Sequence, residues 1–263
     1  MQRLQIRGIQ IALDFLKGDG DLIVFIHGVG ADRTAWKKQL TFFHEQGYSV
    51  AAIDMRGSGE SDARDNVGNI LPISIHEFAI DVDAVIHALG YSSAHWVGNS
   101  MGGVIILEAL KQKLKSLKSI ALCNTFAYHP DRELILPRAG NALKVKSLPE
   151  FAAERIPLVL RPDIDSETLT EAIYAMARKD PEAYLLSWQA TWSPDYRAIL
   201  KQVKHKTLIV SGSLDQITPK PLSDELASGI RGAEHVHIEG AGHISNADMP
   251  EQFNKALLEF LQK

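Results

Sequence analysis

Ser100 lies in Trp96-Val97-Gly98-Asn99-Ser100-Met101-Gly102-Gly103, a G-x-S-x-G pattern placed where an apolar run gives way to a helical one. A serine hydroxyl is a weak nucleophile until a base stands beside it and the backbone presents it to a substrate. Residues 93–97 read as a short strand and residues 104–110 as a helix, so Ser100 falls on the turn between them. On such a turn the serine is held in a strained conformation. Small residues two before and two after it let strand and helix cross, and Gly98 and Gly102 hold those positions. The Met101 amide would open the helix and point at an oxyanion formed beside Ser100. A phosphate-binding turn shares the strand-glycine-helix outline, but neither G-x-G-x-x-G nor G-x-x-x-x-G-K-[ST] aligns to these residues.

Two later loops supply partners. One reads Ser211-Gly212-Ser213-Leu214-Asp215-Gln216-Ile217-Thr218-Pro219 and the other Glu239-Gly240-Ala241-Gly242-His243. Each follows the carboxyl end of an apolar run, so Asp215 and His243 are expected on the same face as Ser100. Alone, Asp215 also reads as a helix cap and His243 as a solvated loop histidine. Together, in the order Ser, Asp, His, they give a nucleophile, a base, and a carboxylate that sets the tautomer of that base. A fourth segment, His27-Gly28-Val29-Gly30, follows another apolar run, and Val29 N–H is the candidate second oxyanion donor, with His27 anchoring the loop.

These residues need a scaffold with many strand ends on one side. Alternation over residues 2–16 predicts two antiparallel strands. Leu22–Ile26 and Ser49–Ile53 are continuous apolar runs typical of strands covered on both faces. Ser74-Ile75-His76-Glu77 has the form of a capping box and opens a helix to about Leu89. A further strand is expected near 119–122. The rhythm lapses over residues 124–195, which are helix-like and punctuated by prolines. It resumes with strand 207–211, helix 219–229, strand 235–238 and helix 250–262. The expected fold is α/β, a mostly parallel eight-stranded sheet with helices on both faces. Its core would comprise residues 1–123 and 196–263, with residues 124–195 as a helical lid over the carboxyl ends of the strands.

Composition narrows the function classes. Of 263 residues 45% are hydrophobic and 23% charged, and the net charge of −4 gives no basic face for nucleic acid or an anionic membrane. No apolar run is long enough to span a bilayer, the first residues lack the apolar stretch of a secretory signal, and Cys123 is the only cysteine. A cytoplasmic monomer or homodimer is expected.

The chain resembles the α/β-hydrolase superfamily through His27-Gly28-Val29-Gly30, Asp54-Met55-Arg56-Gly57-Ser58-Gly59-Glu60-Ser61, Gly98-Asn99-Ser100-Met101-Gly102-Gly103, Asp215 and Gly240-Ala241-Gly242-His243. Within it the chain is most similar to 3-oxoadipate enol-lactonases and related lactone or carboxylester hydrolases. That likeness is carried by Leu122-Cys123-Asn124-Thr125, by Met176-Ala177-Arg178 with Asp180-Pro181, Tyr184 and Trp188, and by Asp215-Gln216-Ile217-Thr218-Pro219. Asn99 departs from it, since enol-lactonases usually carry an apolar residue there.

The resemblance implies a cofactor-free and metal-free serine hydrolase of a small ester or lactone, acting through an acyl-enzyme on Ser100. Ser100, Asp215 and His243 would be catalytic, with Val29 and Met101 amides as the oxyanion hole. Two alternatives stand beside it: hydrolysis of a carbon–carbon bond in a ring-cleavage product, and a small-molecule receptor on the same fold.

Other residues carry weaker expectations. Asp54 is expected to pair with Arg56 or cap its turn, and His235 and His237 to face solvent rather than bind metal. Trp36, Phe126, Trp188 and Trp192 are candidate substrate contacts. Arg132, Arg138, Arg155 and Arg161 make the first half of the lid basic, although acids outnumber bases over 124–195.

Overall fold

The structure, a computed structural model, describes residues 1–263. The strands are β1 (Gln2–Ile6), β2 (Ile9–Leu16), β3 (Leu22–Ile26), β4 (Ser49–Ile53), β5 (Ala94–Asn99), β6 (Leu117–Cys123), β7 (Thr207–Gly212) and β8 (Glu234–Ile238). They form one eight-stranded sheet in the order β1-β2-β4-β3-β5-β6-β7-β8. Only β1 and β2 run antiparallel to their neighbours; from β4 to β8 every pairing is parallel. The strand order reverses around β3, and β5 lies beside it, so the carboxyl ends of β3 and β5 meet where open α/β sheets bind ligands.

Both faces are covered, which is why β3, β4 and β5 are buried at every position. Ile23 and Phe25 of β3 point to a layer made by α1 (Lys37–Glu45) and the C-terminal helix, while Leu22, Val24 and Ile26 point to the opposite one. That second layer holds α2 (Ile75–Ala88) and α3 (Met101–Gln112), and it continues into the segment between β6 and β7. The capping box expected at α2 is half formed: the Ser74 side chain accepts from Glu77 N–H.

Between β6 and β7 there is no strand. The chain there makes α4 (Arg132–Leu143), α5 (Leu148–Arg155), a 3-10 turn at Ile156–Leu158, α6 (Ser166–Ala177), α7 (Pro181–Trp192) and the one-turn α8 (Arg197–Leu200). Two of the prolines that punctuate the sequence here open helices, Pro149 and Pro181 in the first turns of α5 and α7, where a missing N–H costs nothing, whereas Pro137 lies inside α4. Beyond β7 come α9 (Lys220–Gly229), the short α10 (Ser245–Asp248) and α11 (Pro250–Gln262). No helix is long and apolar enough to cross a membrane.

Candidate active site

Ser100 ends the β5 turn and caps α3 with φ 52° and ψ −112°, a left-handed conformation for a residue with a side chain. Strain of this kind costs roughly 1–3 kcal/mol and persists only where the surroundings enforce it. They do so here. Ser100 N–H donates to Cys123 O at 2.9 Å and its carbonyl accepts from Thr125 Oγ1 at 2.8 Å. A Cβ on Gly98 would stand 2.3 Å from Gly102 C, and one on Gly102 would stand 2.2 Å from Ile26 O. The crossing of β5, α3 and β3 therefore has room for glycine alone at both positions, and α3 begins directly at Met101.

The His27–Gly30 turn lies against the serine: a Cβ on Gly28 would approach Ser100 Cβ to 3.2 Å. Gly30 has φ 87°, and the Val29 amide donates to no other group of the loop. Met101 N–H is one of the helix-start donors with no carbonyl a turn behind it. His27 is fixed from both sides: its Nδ1 is 2.8 Å from Gly28 O, and its Nε2 accepts Met55 N–H at 3.1 Å. Burial pushes its pKa down to about 3, with the Lys179 charge adding to the effect, so the ring is a neutral anchor for the loop.

Asp215 and His243 are joined, His243 Nδ1 donating to Asp215 Oδ2 at 3.0 Å. The two readings of Asp215 are compatible, because its Oδ1 also accepts Ile217 N–H and Thr218 N–H at 2.8 and 2.9 Å. Thr218 Oγ1 and Asn124 Nδ2 donate to its Oδ2 at 2.6 and 3.0 Å. Burial raises the carboxyl pKa, but the facing imidazole and the Thr218 bonds outweigh it and hold Asp215 well below the usual range. The backbone of His243 is pinned as well. Its N–H donates to Val159 O at 2.9 Å, and its carbonyl accepts Asn99 Nδ2 at 3.0 Å. The departure at Asn99 thus has a physical reason, since its side chain ties the elbow to the histidine loop.

Ser100, His243, Gly28 and Val29 open onto one cavity of about 400 Å³. The ring hydrogen-bonds to Asp215 rather than to Ser100 Oγ, and serine and imidazole meet only at the cavity wall. Apo sites commonly show this looser pairing.

Of the four aromatic residues expected to contact substrate, Trp192 alone lines the cavity. Phe126 stacks behind it, ring centroids 5.1 Å apart at 8°. Trp188 lies a layer deeper, its Nε1 donating to Ile135 O at 3.2 Å. Trp36 is a correction: it is fully buried on the α1–α11 face, stacked at 5.0 Å on Phe25, because the short turn that carries it gives Thr34 and Ala35 to the cavity and sends the indole into the layer beneath the sheet.

Asp54 is corrected in its partner. It caps its turn by accepting Glu60 N–H at 2.8 Å, but its ion pair is with Arg33 at 2.6 Å, while Arg56 pairs with Asp81. His237 is exposed, as its place on an edge strand suggests, whereas His235 is half-buried. Both rings stand 2.8 Å from Ser211 Oγ, with Asp224 3.6 Å from the His235 ring. Although this resembles a second serine-histidine-carboxylate set, Ser211 is fully buried within β7 with no helix start beside it. No group of three metal-ligating side chains occurs.

Three residues that matter to the geometry received no role from the sequence. Asn124, at φ 46°, bonds both Asp215 and Gly242 O; the signals the sequence offers are its place just past a strand's carboxyl end and its membership of the Leu122–Thr125 segment. Arg178, at the end of α6, pairs with Asp32 of the glycine turn at 2.5 Å and so ties the helical segment to that loop. Asp248 accepts Gly242 N–H and Arg161 N–H at 2.7 and 3.0 Å, bracing the histidine loop against the segment after α5.

Burial pushes the Asp248 carboxyl up to about 6, against the pull of those two amides. The folded protein therefore keeps a proton that the unfolded chain, with a carboxyl near ~3.9, has released. Stability from this group is full below about pH 4 and is lost as pH rises towards about 6, by roughly 1–3 kcal/mol. Urea unfolding at about pH 4.5 and about pH 6.5 should show wild type losing stability relative to Asp248→Asn across that interval. A constant difference between the two proteins would remove this linkage.

Comparison with known proteins bears on the family. Residues 23–256 match a family model described as Alpha/beta hydrolase family. The crystal structure of the enol-lactonase from Burkholderia xenovorans is similar with a TM-score of 0.90 and 25% identity, over 100% of both chains. The chain is 25% identical to an (E)-2-((N-methylformamido)methylene)succinate hydrolase of Acinetobacter baylyi, covering 98% of this chain and 97% of that one. It is 26% identical to a 2-hydroxy-6-oxononadienedioate/2-hydroxy-6-oxononatrienedioate hydrolase of Burkholderia vietnamiensis, over 92% and 88% of the two chains.

Proposed function

The chain belongs to the alpha/beta hydrolase family, and on that premise we propose that it hydrolyses a small carboxylic ester or lactone through an acyl-enzyme on Ser100. His243 Nε2 takes the proton of Ser100 Oγ as the oxygen attacks the carbonyl carbon. The Val29 and Met101 amides hold the tetrahedral oxyanion, and Asp215 keeps the proton on Nδ1 so that Nε2 is free to act as base. The imidazolium then protonates the leaving oxygen, and water activated by the same ring releases the acid. Residues 124–195 form the lid that shapes the acyl pocket. The chemistry draws on no metal or cofactor.

One observation carries this reading. The 3.0 Å bond from His243 to Asp215 points the other edge of the ring at the cavity that Ser100 and the Val29 turn also line. The likeness to the enol-lactonase supports a lactone or ester as substrate. The likeness to the oxononadienedioate hydrolase favours a second reading, carbon–carbon hydrolysis by the same residues.

The test is mass spectrometry of enzyme quenched during turnover of p-nitrophenyl acetate and a series of five- and six-membered lactones. An acyl group on the Ser100 peptide is expected, with steady release of acid. Consumption of a ring-cleavage dienoate with no ester or lactone turnover would move the assignment to the second reading. One acylation per chain followed by arrest would make the protein a receptor.

A further inference from the structure

Of the twelve arginines, nine have a carboxylate within 4.0 Å. The others are Arg138, Arg155 and Arg231, and of these only Arg155 is drawn in from the exposed surface. A guanidinium stays charged at any ordinary pH and offers five N–H donors. Withdrawing it from water without an anion is costly, and proteins seldom do so without a reason.

Arg155 ends α5 and lines the same cavity as Ser100 and His243. Its guanidinium lies over the Trp188 ring, with the central carbon 4.7 Å from the ring centroid. That stacking fixes the plane of the group, and no carboxylate meets its N–H edge. Neighbouring groups do not neutralise it. The one neighbour that offsets its burial is the buried Tyr184 hydroxyl, which is neutral at ordinary pH and so supplies no counter-charge. Burial lowers the Arg155 pKa, and the Arg138 charge lowers it further.

Three of the four acids that line the cavity are engaged elsewhere, and the fourth, Glu167, is exposed on the first turn of α6. Asp32 pairs with Arg178, Glu171 with Lys37, and Asp165 caps α6 by accepting Thr168 N–H. Among the lining charges, Arg155 is the sheltered cation without an anion, and it stands in the nucleophile's chamber.

We propose that Arg155 binds a carboxylate of the substrate, so that the molecule cleaved at Ser100 carries a second, anionic carboxyl group besides its reacting carbonyl. This rests on the hydrolase reading above. A planar carboxylate meets the N–H edge of the guanidinium through two parallel N–H···O bonds, and in a water-poor chamber that pair is strong and selective for geometry. A neutral substrate leaves the cation unpaired and forgoes this contact. The same carboxylate orients the molecule, because its reacting carbonyl must then reach Ser100 from a fixed point. Trp188, which sequence alone placed among the substrate contacts, serves instead as the platform that aims the arginine.

Two arms test this. In the first, glutarate binding is measured calorimetrically to Ser100→Ala and to Ser100→Ala with Arg155→Met. Binding is expected in the first protein and a loss of about 10-fold or more in the second, roughly what one charged pair contributes. No glutarate binding by either protein, or equal binding by both, would overturn the proposal. In the second arm, kcat/KM is compared for p-nitrophenyl hemiglutarate and neutral p-nitrophenyl valerate. Wild type is expected to prefer the anionic ester about 10–100-fold, mainly through KM. Arg155→Met should bring that ratio near one, and Arg155→Lys should retain part of it. A wild-type preference for the neutral ester, or a ratio unchanged in Arg155→Met, sinks the assignment. If neither ester is turned over, the hydrolase reading fails while the glutarate arm still decides whether Arg155 holds a carboxylate.

Discussion

Replacing Ser100 by alanine is expected to lower ester or lactone turnover by about 10⁵–10⁶-fold, the loss seen when a triad nucleophile is removed. Alanine deletes only Oγ, and the main-chain bonds to Cys123 and from Thr125 remain. Unfolding free energy should accordingly stay within about 1 kcal/mol of wild type. Labelling by a fluorophosphonate probe should vanish in parallel with turnover. The left-handed backbone of Ser100 adds a second readout. Ser100→Gly should be equally inactive but more resistant to heat than Ser100→Ala, since glycine tolerates φ 52° without steric cost. Ester turnover by Ser100→Ala at a rate near wild type would end the proposed mechanism, whatever the stability result.

Asp215→Asn should cost on the order of 10⁴-fold in kcat with little change in KM. Its carboxylate accepts from His243, Thr218, Ile217 and Asn124 at once. An amide that turns its NH2 towards the ring would force the other tautomer and occupy the nitrogen that must take the serine proton. Fluorophosphonate labelling would slow by a similar factor. Because the other donors lose part of their acceptor, a drop in stability of about 1–3 kcal/mol should accompany the kinetic loss. A decrease in rate of only a few-fold would shift the role to another carboxylate. Asp54, engaged by Arg33 and by the Glu60 amide, would be the next to test.

Both variants rest on residues that are legible in the chain itself. Ser100, Asp215 and His243 each follow an apolar run, and a strand that ends at a loop delivers that loop to one side of a parallel sheet. Gly98 and Gly102 are legible for the same local reason. Their spacing around a serine has meaning only if strand and helix cross, and the 2.2 Å approach of Ile26 O to a Cβ on Gly102 is that crossing. The helical stretch from Arg132 to Trp192 is legible from its prolines and the lack of alternation, since helix and strand differ in period.

What a residue touches across the fold is not legible in this way. Trp36 and Trp192 are equally apolar in sequence, yet one is packed under the sheet and the other reaches the cavity, because the sheet has two faces and only one carries the helical segment. Arg33 and Arg56 both have acids to choose from, and Asp54 goes to Arg33 because the short turn after β3 packs against the end of β4, where the Arg33 amide and guanidinium both reach the carboxylate. Asn99, Asn124 and Asp248 brace the histidine loop and its surroundings through bonds spanning 144, 91 and 87 residues, separations at which no local pattern survives.

Arg155 shows the division most clearly. In the chain it is one of four arginines in a basic stretch, but Arg132 and Arg161 meet acids and Arg138 is exposed. Period and chain order alone dictate a parallel sheet with a nucleophile, a carboxylate and a base delivered to one edge, because both are local properties that survive without knowing what packs against what. Which cation stays in the chamber without an anion is a property of the folded molecule, because ion pairing and burial depend on which distant segments are brought together in space.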